Sequence, residues 1–268
     1  MIDLNIIDTH LHYSDEHAPH WKELTWMAGR FEEVTEAVRT AGVRTLVFAS
    51  PFSSIESSLV PAEQIMKSND TMLARVSREP DCYCWCVLQP LYREVWRQEE
   101  QMIRERRCVG LKLGSSLHGY RILSAVGREI LAFLDEHAVP GLFHSYSEWD
   151  NPMDFATLAR ERPRAKFIVA HAGHSWPFMQ HIEAVEAARD TGLHIGIDQP
   201  QYATFWGLLE HTVERIGSGR MVYGSDTPCH LPGVLIDRVR RSKLPDEDKR
   251  MILGGTAKAL LGEKLRCP

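Results

Sequence analysis

The chain has 268 residues, 44% of them hydrophobic and 25% charged, ordinary values for a globular enzyme long enough to bury a sizeable core. Its 31 basic and 36 acidic residues give a net charge of -5, with no long block of either sign to follow a phosphate backbone or an acidic membrane surface. Nucleic acid and membrane are therefore disfavoured as partners. The N-terminus carries Asp3 and Asp8 where a leader needs apolar residues, and no apolar run reaches the roughly 18 residues of a membrane span, so the expected location is cytoplasmic.

The first predicted element is the run Ile6-Ile7-Asp8-Thr9-His10-Leu11-His12, apolar and β-branched until it ends in His-x-His. Strand side chains alternate faces, so Asp8, His10 and His12 are expected to point the same way. Two imidazoles about 7 Å apart along a strand can reach one metal ion. Two hydrogen-bonded core histidines are the plainer alternative. Tyr13 to Gly29 follows as a loop holding His17, His20, Trp21 and Trp26, a density of rings that suits a lid over a site or a plug in one end of a barrel.

Short apolar runs then recur about every thirty residues, each followed by a longer amphipathic segment. The predicted strands are Asp3 to His12, Val43 to Ser50, Cys82 to Leu88, Cys108 to Leu113, Val139 to Ser145, Ala165 to His171, Leu193 to Asp198 and Arg220 to Asp226. Helix periodicity lies between them, as in Val34, Val38 and Ala41 before Gly42, or Leu131, Leu134 and Ala138 before Pro140. With no linker or low-complexity tract, the expectation is an α/β fold: a (β/α)8 TIM barrel, one domain over residues 1–268. A doubly wound open sheet is the alternative that periodicity alone leaves open. Cys82, Cys84 and Cys86 share one face of the third strand and read as small core residues, whereas Cys229 lies just past Asp226, within possible reach of a substrate.

In such a barrel the carboxyl ends of the strands gather at one face. Strand one ends in His10 and His12, strand four carries Lys112, strands five and six end in His144 and His171, and strand eight ends in Asp226. Each is a titratable side chain closing a run that otherwise wants burial, which requires pairing or a metal. Three neutral imidazoles and a carboxylate suit a zinc-type centre.

The segments IIDTHLH, GLKL, PGLFHS, FIVAHAGH and VYGSDTP, in that order from Asp3 to about Gly262, resemble the amidohydrolase superfamily, in particular the amidohydrolase-related branch that includes the aminocarboxymuconate semialdehyde decarboxylase-like enzymes. The resemblance implies that His10, His12, His144 and Asp226 are metal ligands, and that His171 polarises the substrate or shuttles a proton. The implied cofactor is one divalent ion, Zn first, with Mn or Fe as alternatives. One departure is Thr256 in TAKALLG, where the family has Asn; a capping Thr can stand there. Lys112 has three readings: an ammonium that attracts a substrate carboxylate, a carbamate bridging two metals, or a structural cation.

His118, Tyr146, His174 and Trp21 are candidates for contacting substrate, with Arg121, Trp176 and His230 in neighbouring loops. His137, His181, His194 and His211 read as structural. The leading expectation is a metal-dependent hydrolase that opens an amide, lactone or ester of a small anionic molecule, Asp226 taking the proton of the attacking water and His171 assisting the leaving group. Decarboxylation or hydration at the same site is the second reading. A nuclease of the TatD type is disfavoured by Lys112 on strand four and by the net charge, and a barrel that merely binds a ligand has no reason to keep five such residues at its strand ends. The expected partner is a small-molecule substrate, and a homo-oligomer is left open.

Overall fold

Strands covered by helices on one side and by a filled barrel interior on the other must be apolar on both faces, which is how these runs read. The computed structural model describes residues 4–13, 29–49, 60–174 and 179–265. Within them eight parallel strands follow one another in sequence order: β1 (Ile6–Leu11), β2 (Val43–Ala49), β3 (Cys82–Val87), β4 (Cys108–Leu113), β5 (Gly141–Phe143), β6 (Lys166–Val169), β7 (Gly192–Gly196) and β8 (Met221–Val222). The main crossover helices are α1 (Phe31–Thr40), α2 (Ala62–Val76), α3 (Arg93–Met102), α4 (Ala125–His137), α5 (Pro152–Glu161) and α6 (Gln180–Ala187). After β7 come α7 (Pro200–Thr204) and α8 (Leu208–Ile216), and after β8 come α9 (Pro232–Arg241), α10 (Asp246–Arg250) and α11 (Thr256–Leu261).

The ring closes between β1 and the chain around β8. Thr9 N donates to Tyr223 O at 3.2 Å, Asp226 N to His10 O at 2.8 Å, and His12 N to Thr227 O at 2.8 Å. This closure gives the single-domain TIM barrel and excludes the open doubly wound sheet. Several ladders stop short of the predicted runs: β8 covers Met221–Val222 of Arg220 to Asp226, and β5 covers Gly141–Phe143 of Val139 to Ser145. The remaining residues leave the ladder at its carboxyl end and form the mouth of the barrel.

Alternation sorts the strand side chains into two layers. Ile7, Val47, Tyr83, Trp85, Val109, Leu142, Ile168 and Val222 fill the interior, where Ala257, Leu260 and Leu261 of α11 join them. Cys82, Cys84 and Cys86 lie in the outer layer against the helices, free and buried as expected, with Cys86 Sγ 3.2 Å from Cys108 Sγ. Gly110 is required by packing, since a Cβ there would stand 2.1 Å from Pro140 O. Thr256 is not a cap. It lies inside continuous helix with φ -63°, and its hydroxyl donates to Ser218 O at 3.1 Å, tying α11 to the segment before β8.

The expected sharing of one face by Asp8, His10 and His12 fails. Asp8 stands opposite Leu46 and Leu11 opposite Phe48, three residues of β1 against two of β2, so a bulge breaks the alternation. Asp8 Oδ1 instead accepts the backbone N–H of His10 at 3.2 Å and of Ser225 at 3.0 Å, stitching β1 to the β8 end. The bulge leaves the two histidine rings turned toward each other.

Candidate metal centre and active site

His10 and His12 are buried, and their ring centroids lie 5.0 Å apart. The Nδ1 of His10 is 2.6 Å from Asp198 Oδ2, and the Nδ1 of His12 is 3.2 Å from Ala49 O. An ionised carboxylate and a carbonyl can only accept, so each Nδ1 carries the hydrogen and each Nε2 presents a lone pair. These two Nε2 atoms stand 3.1 Å apart. Two acceptors that close need a positive charge in front of both. Asp226 Oδ1 faces the same point, 3.6 Å from His10 Nε2 and 3.5 Å from His12 Nε2. Two nitrogen ligands at about 2.1 Å from one ion would themselves be roughly 3.0–3.4 Å apart, so the donor pair fits a divalent cation.

Electrostatics agree with that donor set. Burial pushes the His10 ring down to about 3 and His12 well below the usual imidazole value, with Lys112 adding to the effect on both, so the rings are neutral. Burial pushes the Asp226 carboxyl up to about 7, opposed by the charges of His171 and Lys112. A cation at the shared point would draw that carboxylate into its charged form.

Lys112, on β4, is 1% exposed, and its Nζ lies 2.8 Å from His10 Nε2. Burial lowers its pKa to about 8, while Asp226 and Asp198 favour its charge. Its ammonium answers the same lone pair that a metal ion would take.

The second group centres on Asp198, just past the end of β7. Its Oδ1 accepts His171 N at 2.8 Å and lies 3.2 Å from His171 Nδ1, while its Oδ2 takes the His10 hydrogen. Burial opposes its charge, yet His171 and His10 hold its pKa well below the usual carboxylate range. Burial likewise works against a charged His171, but Asp198 and Asp226 lift the ring above its ordinary value. His10, His171 and Asp198 could also surround a cation by distance alone. Asp198 is already engaged with both rings, however, and its contacts fix their orientation.

His144 stands one ring further out. Its Nδ1 is 2.9 Å from His171 Nε2, and among the described residues it belongs to neither potential ligand group. Tyr146, 53% exposed, stacks on His174 with centroids 3.8 Å apart and on His144 at 5.7 Å. Gln199 links His174 to His171. His118 is wholly buried in the loop after β4, and burial pushes its ring down to about 3, so it offers no surface to a substrate. Trp21 lies outside the described residues, as do His17, His20, Trp26 and Trp176. A cavity of about 280 Å³ opens beside the Asp198 wall, with Gln199, Cys229 and His230 among its lining.

Asp198 and Gln199 are the site residues that the strand-end reasoning missed. The signal was present, because the run Leu193 to Asp198 closes on a carboxylate as the others close on imidazoles. Backbone strain was not legible. His171 and Asp226 both adopt positive φ, 64° and 55°, uncommon for residues with a side chain and concentrated here at the ends of β6 and β8.

Comparison with solved structures gives the same barrel throughout. A 5-carboxyvanillate decarboxylase from Sphingomonas paucimobilis superposes with a TM-score of 0.74 at 14% identity, over 97% of this chain and 99% of that one. A 2,6-dihydroxybenzoate decarboxylase from Rhizobium gives 0.71 at 15% identity over 97% and 99%. A dihydroxybenzoic acid decarboxylase from Polaromonas sp. JS666, solved with manganese and the inhibitor 2-nitroresorcinol, gives 0.73 at 15% over 97% of each chain. At such identities the likeness carries the fold. A search among curated proteins gives no match. The amidohydrolase family model matches residues 7–262, nearly the whole barrel with every strand-end residue described above, and the chain belongs to the amidohydrolase family.

Proposed function

We propose that this protein is a metal-dependent, non-oxidative decarboxylase of a small hydroxylated aromatic carboxylate. The observation that carries the reading is the pair of facing Nε2 lone pairs of His10 and His12, 3.1 Å apart, with the buried Lys112 ammonium 2.8 Å from one of them. One anion entering the mouth would meet two positive charges. A divalent ion held by His10, His12 and Asp226 would supply Lewis-acidic charge that draws in and holds the oxygens of such a substrate. Zn, Mn and Fe all suit this donor set, and manganese is the ion seen in the Polaromonas enzyme.

The chain's own groups do the rest. Lys112 pairs with the substrate carboxylate, and the Tyr146–His174 stack borders the mouth as a flat apolar face for a ring. Decarboxylation places one proton on the ring carbon; as the carbon–carbon bond breaks its electron pair returns to the ring, and carbon dioxide leaves. In this reading His171, held protonated by Asp198 and Asp226, is the proton source, and Asp226 relays that proton to the ring carbon.

Hydrolysis of an amide, lactone or ester is the second reading, favoured by the amidohydrolase family itself. There Asp226 would accept a proton from the attacking water. Lys112 and the decarboxylases among the similar structures tilt the choice toward carbon dioxide release. The test follows carboxyl-¹³C-labelled hydroxybenzoates with manganese-loaded protein by NMR, beside a lactone, ester and amide panel. Metal-dependent labelled bicarbonate is the expected result. Hydrolysis in the panel with no labelled bicarbonate would replace this reading with the second.

A further inference from the structure

We infer that Asp150 is a positioning residue, clipping together the loops after β4 and β5 so that Tyr146 and His174 form a fixed aromatic ledge beside His144; the role of the ledge rests on the aromatic-carboxylate reading above. Asp150 is fully buried, and among the described residues it forms no ion pair: hydrogen-bond donors from two loops compensate it. Its Oδ1 accepts from Tyr146 N at 2.9 Å, Ser147 N at 2.6 Å and Ser147 Oγ at 2.9 Å. Its Oδ2 accepts from Ser116 N at 3.3 Å, Ser115 Oγ at 3.4 Å and Ser116 Oγ. Its carbonyl takes a further bond from Ser145 Oγ at 2.8 Å.

Burying a carboxylate is costly unless its lone pairs are filled, and bonds to a charged acceptor are the stronger kind. What the six bonds hold is the site's own framework. Ser115 and Ser116 come three and four residues after Lys112, and Tyr146 and Ser147 come two and three after His144. His144 N also donates to Leu113 O at 2.7 Å, so the clip and the ladder together set the spacing of Lys112 and His144. Tyr146 is half exposed, yet it is fixed at its backbone N–H by Asp150 and at its ring by His174, with an interplanar angle of 24°. A ring held at both ends offers a face to a planar substrate without losing further freedom on binding.

The test is a double-mutant cycle of Asp150→Asn and Tyr146→Ala, read as affinity of manganese-loaded protein for 2-hydroxybenzoate by calorimetry, with metal content measured in every variant. Asn keeps the shape but turns a donor toward donors. Each single variant should lose roughly tenfold in affinity, the scale of one charge-assisted bond, at unchanged metal content, and the double variant should be no worse than the weaker single. Unchanged affinity in Asp150→Asn, or losses that simply multiply, would overturn the positioning role. Hydrogen exchange decides the clip without ligand: the amides of Ser116, Tyr146 and Ser147 should exchange at least about tenfold faster in Asp150→Asn while β1 amides stay protected. Unaltered exchange overturns the clip. Ser116→Ala and Ser147→Ala, which bury no new donor, should each reproduce part of the change if Asp150→Asn fails to fold. A wild type with no affinity for 2-hydroxybenzoate counts against the aromatic-carboxylate reading and the ledge's assigned occupant, and leaves exchange to decide the clip.

Discussion

Asp226, past the end of β8, and Lys112, on β4, approach His10 Nε2 to 3.6 Å and 2.8 Å, and their roles separate by experiment. Asp226→Asn keeps the shape and one oxygen for coordination but cannot carry the proton. It should retain a substantial fraction of the metal while kcat falls roughly 10²- to 10⁴-fold, the range of proton-transfer assistance. Near-normal turnover in the metal-loaded variant would move that role to His171. Lys112→Ala should raise KM far more than it lowers bound metal, since in the proposed reading the ammonium serves the substrate and not the ion; a second metal ion with a carboxylated lysine would reverse this. Asp8, outside the ligand set, is one contributor to the pH dependence of the metal-free fold, beside Asp226 and the buried histidines. Burial pushes its carboxyl from 3.8 up to about 7, so the folded chain keeps a proton that the unfolded chain releases. Its contribution to stability is whole below about pH 4 and drains away as pH rises to about 7. Denaturant melts of metal-free Asp8→Asn should lack that part of the slope, and an identical pH profile in the two proteins would remove Asp8 from the account.

At the scale of elements, the βα rhythm carries most of the information. Apolar runs bounded by Gly and Pro locate the eight strands, because a strand enclosed on both faces has no polar position to blur it. The β1 bulge was not legible, since it arises from pairing with β2 and not from the sequence of β1 itself. It matters to the site: strict alternation would have put Asp8 beside the two rings, whereas the bulge hands Asp8 to the backbone and brings the Nε2 atoms together. The β8 end makes a complementary demand. A Cβ at Gly224 would stand 2.8 Å from His10 Cβ, so Gly224→Ala should shift that ring and weaken metal binding with the barrel intact. Circular dichroism and metal titration check this, and unchanged affinity would show that β1 yields without cost.

For the whole molecule, no helix among the described residues is long and apolar enough to cross a membrane, and the family assignment spans residues 7–262. The barrel brings strand ends distant in sequence to one mouth, which makes His10, His12, His144, His171 and Asp226 legible as a group, but His144, expected as a ligand, stands beside His171 and outside both potential ligand groups among the described residues. Asp198 escaped because a carboxylate at a strand end lacks the company of a short motif, and Asp150 because half of its partners, Ser115 and Ser116, lie on a different loop. Reaction type was the least legible property, as the same residues can accept a proton from water or give one to carbon. Both reaction readings rest on a cation in front of His10 Nε2 and His12 Nε2. Metal analysis of protein purified without added metal tests that directly: the wild type should carry about one divalent ion per chain, and His10→Ala and His12→Ala should each lose most of it. Full metal content in both variants would contradict the assignment.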